Sequence, residues 1–117
     1  MANIVTGTSP CQHSKIRCEA LTDWGQVVAD RLNEIAKISD DGPGVTRLPF
    51  TRKHAEAVSI IKGWMQDAGL ETQLDAAGTL VGRTQFTNAT QTLYMGSHQD
   101  SVRHGGAYDG IMGIVLP

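Results

Sequence analysis

TLYMGSHQDSVRHGGAYDG, Thr92 to Gly110, opens on a short apolar run and passes at once into a glycine-rich loop. Between Gly96 and Gly110 the loop gathers two histidines, two aspartates and four glycines. Thr92–Met95 carries apolar side chains on both faces, the pattern of an inner strand. A helical pattern starts near Tyr108, so the loop links a buried strand to a helix. That connection belongs to an α/β layer, where ligands bind beyond the carboxyl ends of the strands. His98 and Asp100 directly follow the strand, and Asp109 stands at the start of the helix. An imidazole and carboxylates converging there suit a borderline divalent metal such as zinc or manganese. Gly105, Gly106 and Gly110 let the loop double back so that Asp109 can meet His98. Asp100 is placed to orient the imidazole through its second nitrogen, as metal-bound histidines require. The same spacing also fits a capped loop with no ligand at all. His104, beside Arg103, reads as solvated or substrate-facing.

Upstream of this stretch the elements alternate in character. Leu70, Thr72 and Leu74 alternate with Glu71 and Gln73, Asp75–Gly78 is a turn, and Thr79–Thr84 is the return strand of a hairpin. Before it, Thr51 is an N-cap for a helix to about Ala68, with Ala55, Val58, Ile61, Trp64, Met65 and Ala68 on one face. Trp64 and Met65 belong to the core on this pattern. Gly69 follows at the position where a helix ends with positive φ. An earlier helix begins at Thr22 or Asp23, with Trp24, Val27, Val28, Leu32 and Ile35 at helical spacing. Asp40–Gly44 breaks it, and Gly44–Phe50 is an irregular connection. Two helices followed by a mixed sheet give an α/β fold.

Residues 1–20 lack periodicity and read as a polar, disordered tail, leaving 21–117 as the structured part. Cys11, His13 and Cys18 cluster in that tail. A zinc site there needs a fourth ligand and better spacing, so two free thiols are the simpler reading. Charged residues are 19% of the chain with net charge −2. This balance offers no nucleic-acid surface. The longest apolar run, Ile111–Leu116, is too short to span a membrane. The amino terminus has no basic and apolar leader pattern, so a cytoplasmic location is expected.

Four blocks occur in order: GVTRLPFT (Gly44–Thr51), WMQDAGL (Trp64–Leu70), DAAGTLVGR (Asp75–Arg83) and GSHQDSVRHGGAYDG. Together they resemble the dinuclear-metal amidohydrolases that include N-carbamoyl-L-amino acid hydrolases and allantoate amidohydrolases, relatives of aminoacylase and carboxypeptidase-type zinc hydrolases. The similarity runs from about Leu21 to Leu116, and GVTRL points to the carbamoylase–allantoate branch. Thr79 and Ser101 stand where asparagine and threonine are usual.

The resemblance implies the amino-terminal part of a zinc-hydrolase-type catalytic domain, truncated at Pro117. It implies that His98 ligates one metal, that Asp109 bridges two, and that Asp100 supports His98. The two ions, zinc, manganese or cobalt, would activate a water against a ureido or amide carbon of a small-molecule substrate. The general-base glutamate and the remaining ligands of the family are absent from this chain, so the isolated chain is expected to be inactive. The full-length enzyme is expected to be a homodimer, with no nucleic-acid or membrane partner. An aminoacylase or dipeptidase is the alternative activity, and a non-catalytic truncated product the alternative from another class. A cis Asp109–Gly110 peptide is a further expectation of the resemblance.

Overall fold

The structure, a computed structural model, describes residues 12–85, 88 and 90–117. Its order is α1 (Gln12–Ala36), α2 (Arg52–Asp67), β1 (Glu71–Leu74), β2 (Leu80–Arg83) and α3 (Met112–Val115). α1 begins well ahead of the caps at Thr22 and Asp23, so its first turns run through what reads in sequence as tail. Cys11, and the rest of that tail before Gln12, lie outside the described residues.

The core is small and lies where α1, α2 and α3 meet. Leu32 and Ile35 of α1, Ile38 just past its end, Ala57 and Ile61 of α2, and Ile111 form it. Ile35 and Ala57 are fully covered. Ile60, Trp64, Met65, Leu80, Ile114 and Val115 pack around this centre. Trp64 and Met65 are therefore half-buried at the edge of the core, on the side their spacing indicates. The α2 face is turned slightly from the expected one: Ala57 is buried and Ala55 is exposed. Trp24 corrects the sequence reading more sharply, being 69% exposed. It sits on a stretch of α1 that extends past the core and is covered by no partner among the described residues. Arg31 supplies the aromatic contact between the helices instead, its guanidinium lying 5.3 Å from the centre of the Trp64 ring, a cation–π arrangement.

Local chemistry sets both ends of α2. Thr51 Oγ1 accepts from the His54 amide at 3.3 Å and donates to the Leu48 carbonyl at 2.7 Å. At the other end the Gly69 amide donates to the Gln66 carbonyl and the Leu70 amide to the Met65 carbonyl, both at 2.9 Å. This crossed pair is a Schellman motif, and it needs the left-handed residue that Gly69 provides with φ 80°. Thr51→Ala removes one amide acceptor and should cost about 1 kcal/mol. Equilibrium urea unfolding measures it, and an unchanged midpoint would show that the cap contributes nothing.

β1 and β2 pair antiparallel from Glu71 opposite Arg83 to Leu74 opposite Leu80. Asp75 builds their turn: its Oδ1 accepts from the Ala77 and Thr79 amides at 2.9 and 2.8 Å. The hairpin lies against α2, where Gly82 sits beside Leu70 and Met65. Helices and a small sheet make the α/β layer that the sequence indicates. The mixed sheet is not formed among the described residues. Thr92–Met95 is not a strand, and Leu93, Tyr94 and Met95 are 81%, 89% and 64% exposed. A strand is defined by its ladder, and no described residue lies alongside this segment to complete one. No helix among the described residues is long and apolar enough to cross a membrane.

Candidate functional site

The site is built by a connection that looks irregular and is nevertheless buried. After α1, Ser39 Oγ accepts from the Thr46 amide at 2.8 Å, and the Asp40 amide donates to the Thr46 carbonyl at 2.8 Å. The chain thereby turns back, and Val45, Thr46 and Arg47 go inside. Connecting segments normally run over the surface because their polar backbone needs partners. Here the partner is the loop 99–105. Val45 and Gly105 exchange amide–carbonyl bonds, both at 2.9 Å. The Ser101 amide donates to the Arg47 carbonyl at 2.9 Å, and the Arg47 amide donates to Ser101 Oγ at 2.9 Å. Ser101 Oγ in turn donates to the Val45 carbonyl at 3.0 Å.

Arg47 is the residue that sequence reading missed. It is 2% exposed. Its guanidinium donates from Nη1 to the Ile35 and Ile38 carbonyls at 3.0 and 2.8 Å, and from Nε to the Gln99 carbonyl at 2.7 Å. Burial pushes the Arg47 pKa down, and the nearby Asp100 charge opposes that shift. The GVTRL block was the only signal, and it pointed to a family rather than to this role. On the other side of the loop Gln99 Nε2 donates to His54 Nε2 at 3.0 Å.

On this support the structure brings His98, Asp100 and Asp109 together. His98 Nδ1 lies 3.2 Å from the Asp100 carbonyl oxygen and 3.4 Å from its carboxylate. Both neighbours are acceptors for an Nδ1–H, and the tautomer with its proton there is the one that would leave Nε2 to a metal. Nε2 lies 3.8 Å from Asp109 Oδ2. The three residues stand on an open surface rather than in a crevice: the side chains of His98 and Asp109 are 51% and 80% exposed. The convergence depends on Gly110, whose φ is 70°. A Cβ there would sit 2.4 Å from the His98 carbonyl oxygen. Among the described residues the backbone has no cis peptide, so the Asp109–Gly110 bond is trans, against the cis geometry expected from the resemblance.

His104 stands apart. Its Nδ1 donates to the Pro43 carbonyl at 3.0 Å and its amide to Thr46 Oγ1 at 2.9 Å. Its exposed ring is anchored to the turn before Val45. Among the described residues no group of three histidines, cysteines or acidic residues is placed to hold a metal ion. His98 and Asp109 thus offer two donors. Metal–nitrogen and metal–oxygen bonds of about 2.0–2.2 Å span a gap of their size.

No family model matches the chain. Similar proteins exist nevertheless. The chain is 39% identical over 89 residues to an N-carbamoyl-L-amino-acid amidohydrolase of Paenarthrobacter aurescens, covering 75% of this chain and 22% of that protein. It is 40% identical over 86 residues to an allantoate deiminase of Arabidopsis thaliana, covering 73% and 16%. The structure resembles an amidase of the hydantoinase/carbamoylase family from Burkholderia phymatum, with TM-score 0.67 and 34% identity over 75% of this chain and 21% of that one. The chain therefore spans about a fifth of the length of such relatives.

Proposed function

We propose a function from one premise: the chain belongs to the family of N-carbamoyl-L-amino-acid amidohydrolases and allantoate deiminases. It is one part of a hydrolase that cleaves carbon–nitrogen bonds of ureido compounds. The observation that carries this is the meeting of His98 Nε2 and Asp109 Oδ2 with Asp100 behind the imidazole. An imidazole nitrogen and a carboxylate oxygen facing each other can share a cation, and divalent zinc, manganese or cobalt suits these donors. The related proteins are named for acting on N-carbamoyl amino acids and allantoate, both ureido compounds.

His98 and Asp109 would hold the metal, and Asp100 would fix the tautomer that leaves Nε2 free. Bound metal lowers the pKa of its water and polarises the carbonyl to be attacked. The further ligands and the general base belong, on this proposal, to the remaining length that the relatives have. The sheet partners of Thr92–Met95 belong there too. The full-length enzyme is proposed to be a homodimer.

The test is a substrate comparison with the full-length enzyme, loaded in turn with zinc, manganese and cobalt. N-carbamoyl amino acids or allantoate should be turned over at least about 10-fold better in kcat/KM than dipeptides or N-acyl amino acids, since a site that hydrogen-bonds the terminal carbamoyl NH2 rejects analogues with carbon in its place. A preference for dipeptides would place the enzyme with the peptidases instead.

A further inference from the structure

We infer that Arg47 is a positioning residue for the His98–Asp100 turn, acting through the Gln99 carbonyl; this rests on the reading of His98 and Asp109 as metal-binding residues. Arginine is almost never so deeply covered unless its charge has partners. Among the described residues no carboxylate comes within ion-pair distance of Arg47. Its partners are three backbone carbonyls. Ile35 and Ile38 lie at the end of α1, where the helix dipole is negative; the Ile35 carbonyl also accepts from the Ile38 amide at 3.1 Å. Gln99 is the third.

The position of Gln99 makes this more than a helix cap. Its carbonyl belongs to the peptide that joins it to Asp100, and His98 precedes it in the chain. Pinning that peptide sets the direction in which Asp100 leaves the backbone, and restricts His98 on the other side. The main chain of the same residue holds Ser101 in both directions, at 2.9 Å each. Arg47 therefore grips the chain before and after Asp100, whose carboxylate and carbonyl both face His98 Nδ1. A planar fork is needed for this set of contacts. A lysine ammonium, a point donor, cannot reach carbonyls at the helix end and at Gln99 with the same geometry.

The experiment uses Arg47→Lys and Arg47→Met in the full-length enzyme, with Ile61→Val as a control for loss of stability alone. Each is measured for manganese affinity by calorimetry, for the visible spectrum of its cobalt form, and for kcat and KM at a temperature where it is folded. Arg47→Lys should bind metal about 10-fold more weakly, and Arg47→Met about 100-fold, within the range known for residues behind a ligand. The cobalt bands should shift, and kcat should fall with KM nearly unchanged. Ile61→Val should alter the thermal midpoint and none of these. If Arg47→Met does not fold, Arg47→Lys decides alone. A variant that is less stable yet has wild-type affinity, spectrum and kcat would reduce Arg47 to a structural plug and overturn the inference. Should the wild-type enzyme bind no metal, it is the functional reading that has failed. Hydrogen exchange at the amides 98–101 then still judges Arg47: faster exchange in Arg47→Lys supports its grip on the turn, and unchanged exchange refutes it.

Discussion

Asp109→Ala in the full-length enzyme should bring hydrolysis of ureido substrates to background while leaving the fold intact. Among the described residues Asp109 is 80% exposed at its side chain, and its ion-pair contact there is His98. Apart from any stabilisation by bound metal, removing a side chain this exposed should change stability by only about 0.5 kcal/mol, so the metal-free forms are the ones compared for folding. The proposed chemistry predicts a far larger effect on rate. Loss of a residue that merely supports a ligand costs about 10–100-fold, and loss of the ligand itself should exceed about 100-fold. Asp100→Ala provides the internal comparison. It faces His98 Nδ1 and not the Nε2 side, so its loss should stay within that 10–100-fold range. The two variants are assayed for kcat/KM and for bound metal by elemental analysis. Equal losses in both would mean that their roles are misassigned. Full activity in Asp109→Ala would end the metal reading.

Gly110→Ala is expected to damage the site as severely, by a different route. The residue stands at φ 70°, a conformation that costs a residue with a Cβ roughly 1–2 kcal/mol. The added carbon would also lie 2.4 Å from the His98 carbonyl oxygen and 2.6 Å from its ring atoms Cε1 and Nδ1. Neither neighbour yields easily. The next carbonyl, that of Gln99, is held by Arg47, and the ring faces Asp100. Overpacking of this kind adds about 1–3 kcal/mol. His98 should therefore be pushed out of line with Asp109, with metal binding lost and the thermal midpoint lowered. Gly106→Ala is the control, because no described residue lies within 4 Å of a Cβ there. Wild-type stability and metal content in Gly110→Ala would show that the close approach of these two segments is not as described.

The features legible in the sequence are those whose causes lie within a few residues. Thr51 and Gly69 bound α2 because capping is a bond between neighbours in the chain. The hairpin could be read from alternation and from Asp75, whose carboxylate closes its own turn. His98, Asp100 and Asp109 stood out because glycines around them permit a tight return, and the return brings them to 3.4 and 3.8 Å. The four ordered blocks carried the family, since they combine many such local decisions.

Tertiary structure decided the rest, wherever a residue's fate depends on a partner remote in sequence. Trp24 shares the spacing of Leu32 and Ile35, yet periodicity marks a stripe without saying how far along it the neighbouring helix reaches. Thr92–Met95 has the composition of an inner strand, but backbone pairing requires a second strand, and none among the described residues supplies it. Arg47 is the clearest case. In the sequence it is one cation among several; in the fold, carbonyls from Ile35, Ile38 and Gln99 surround it. Burying that charge is tolerable only because all three acceptors arrive together. Local bonds in the sequence thus determined the helix ends, the hairpin and the residues of the site, while long-range desolvation and pairing decided which of them are covered and what holds the site in place.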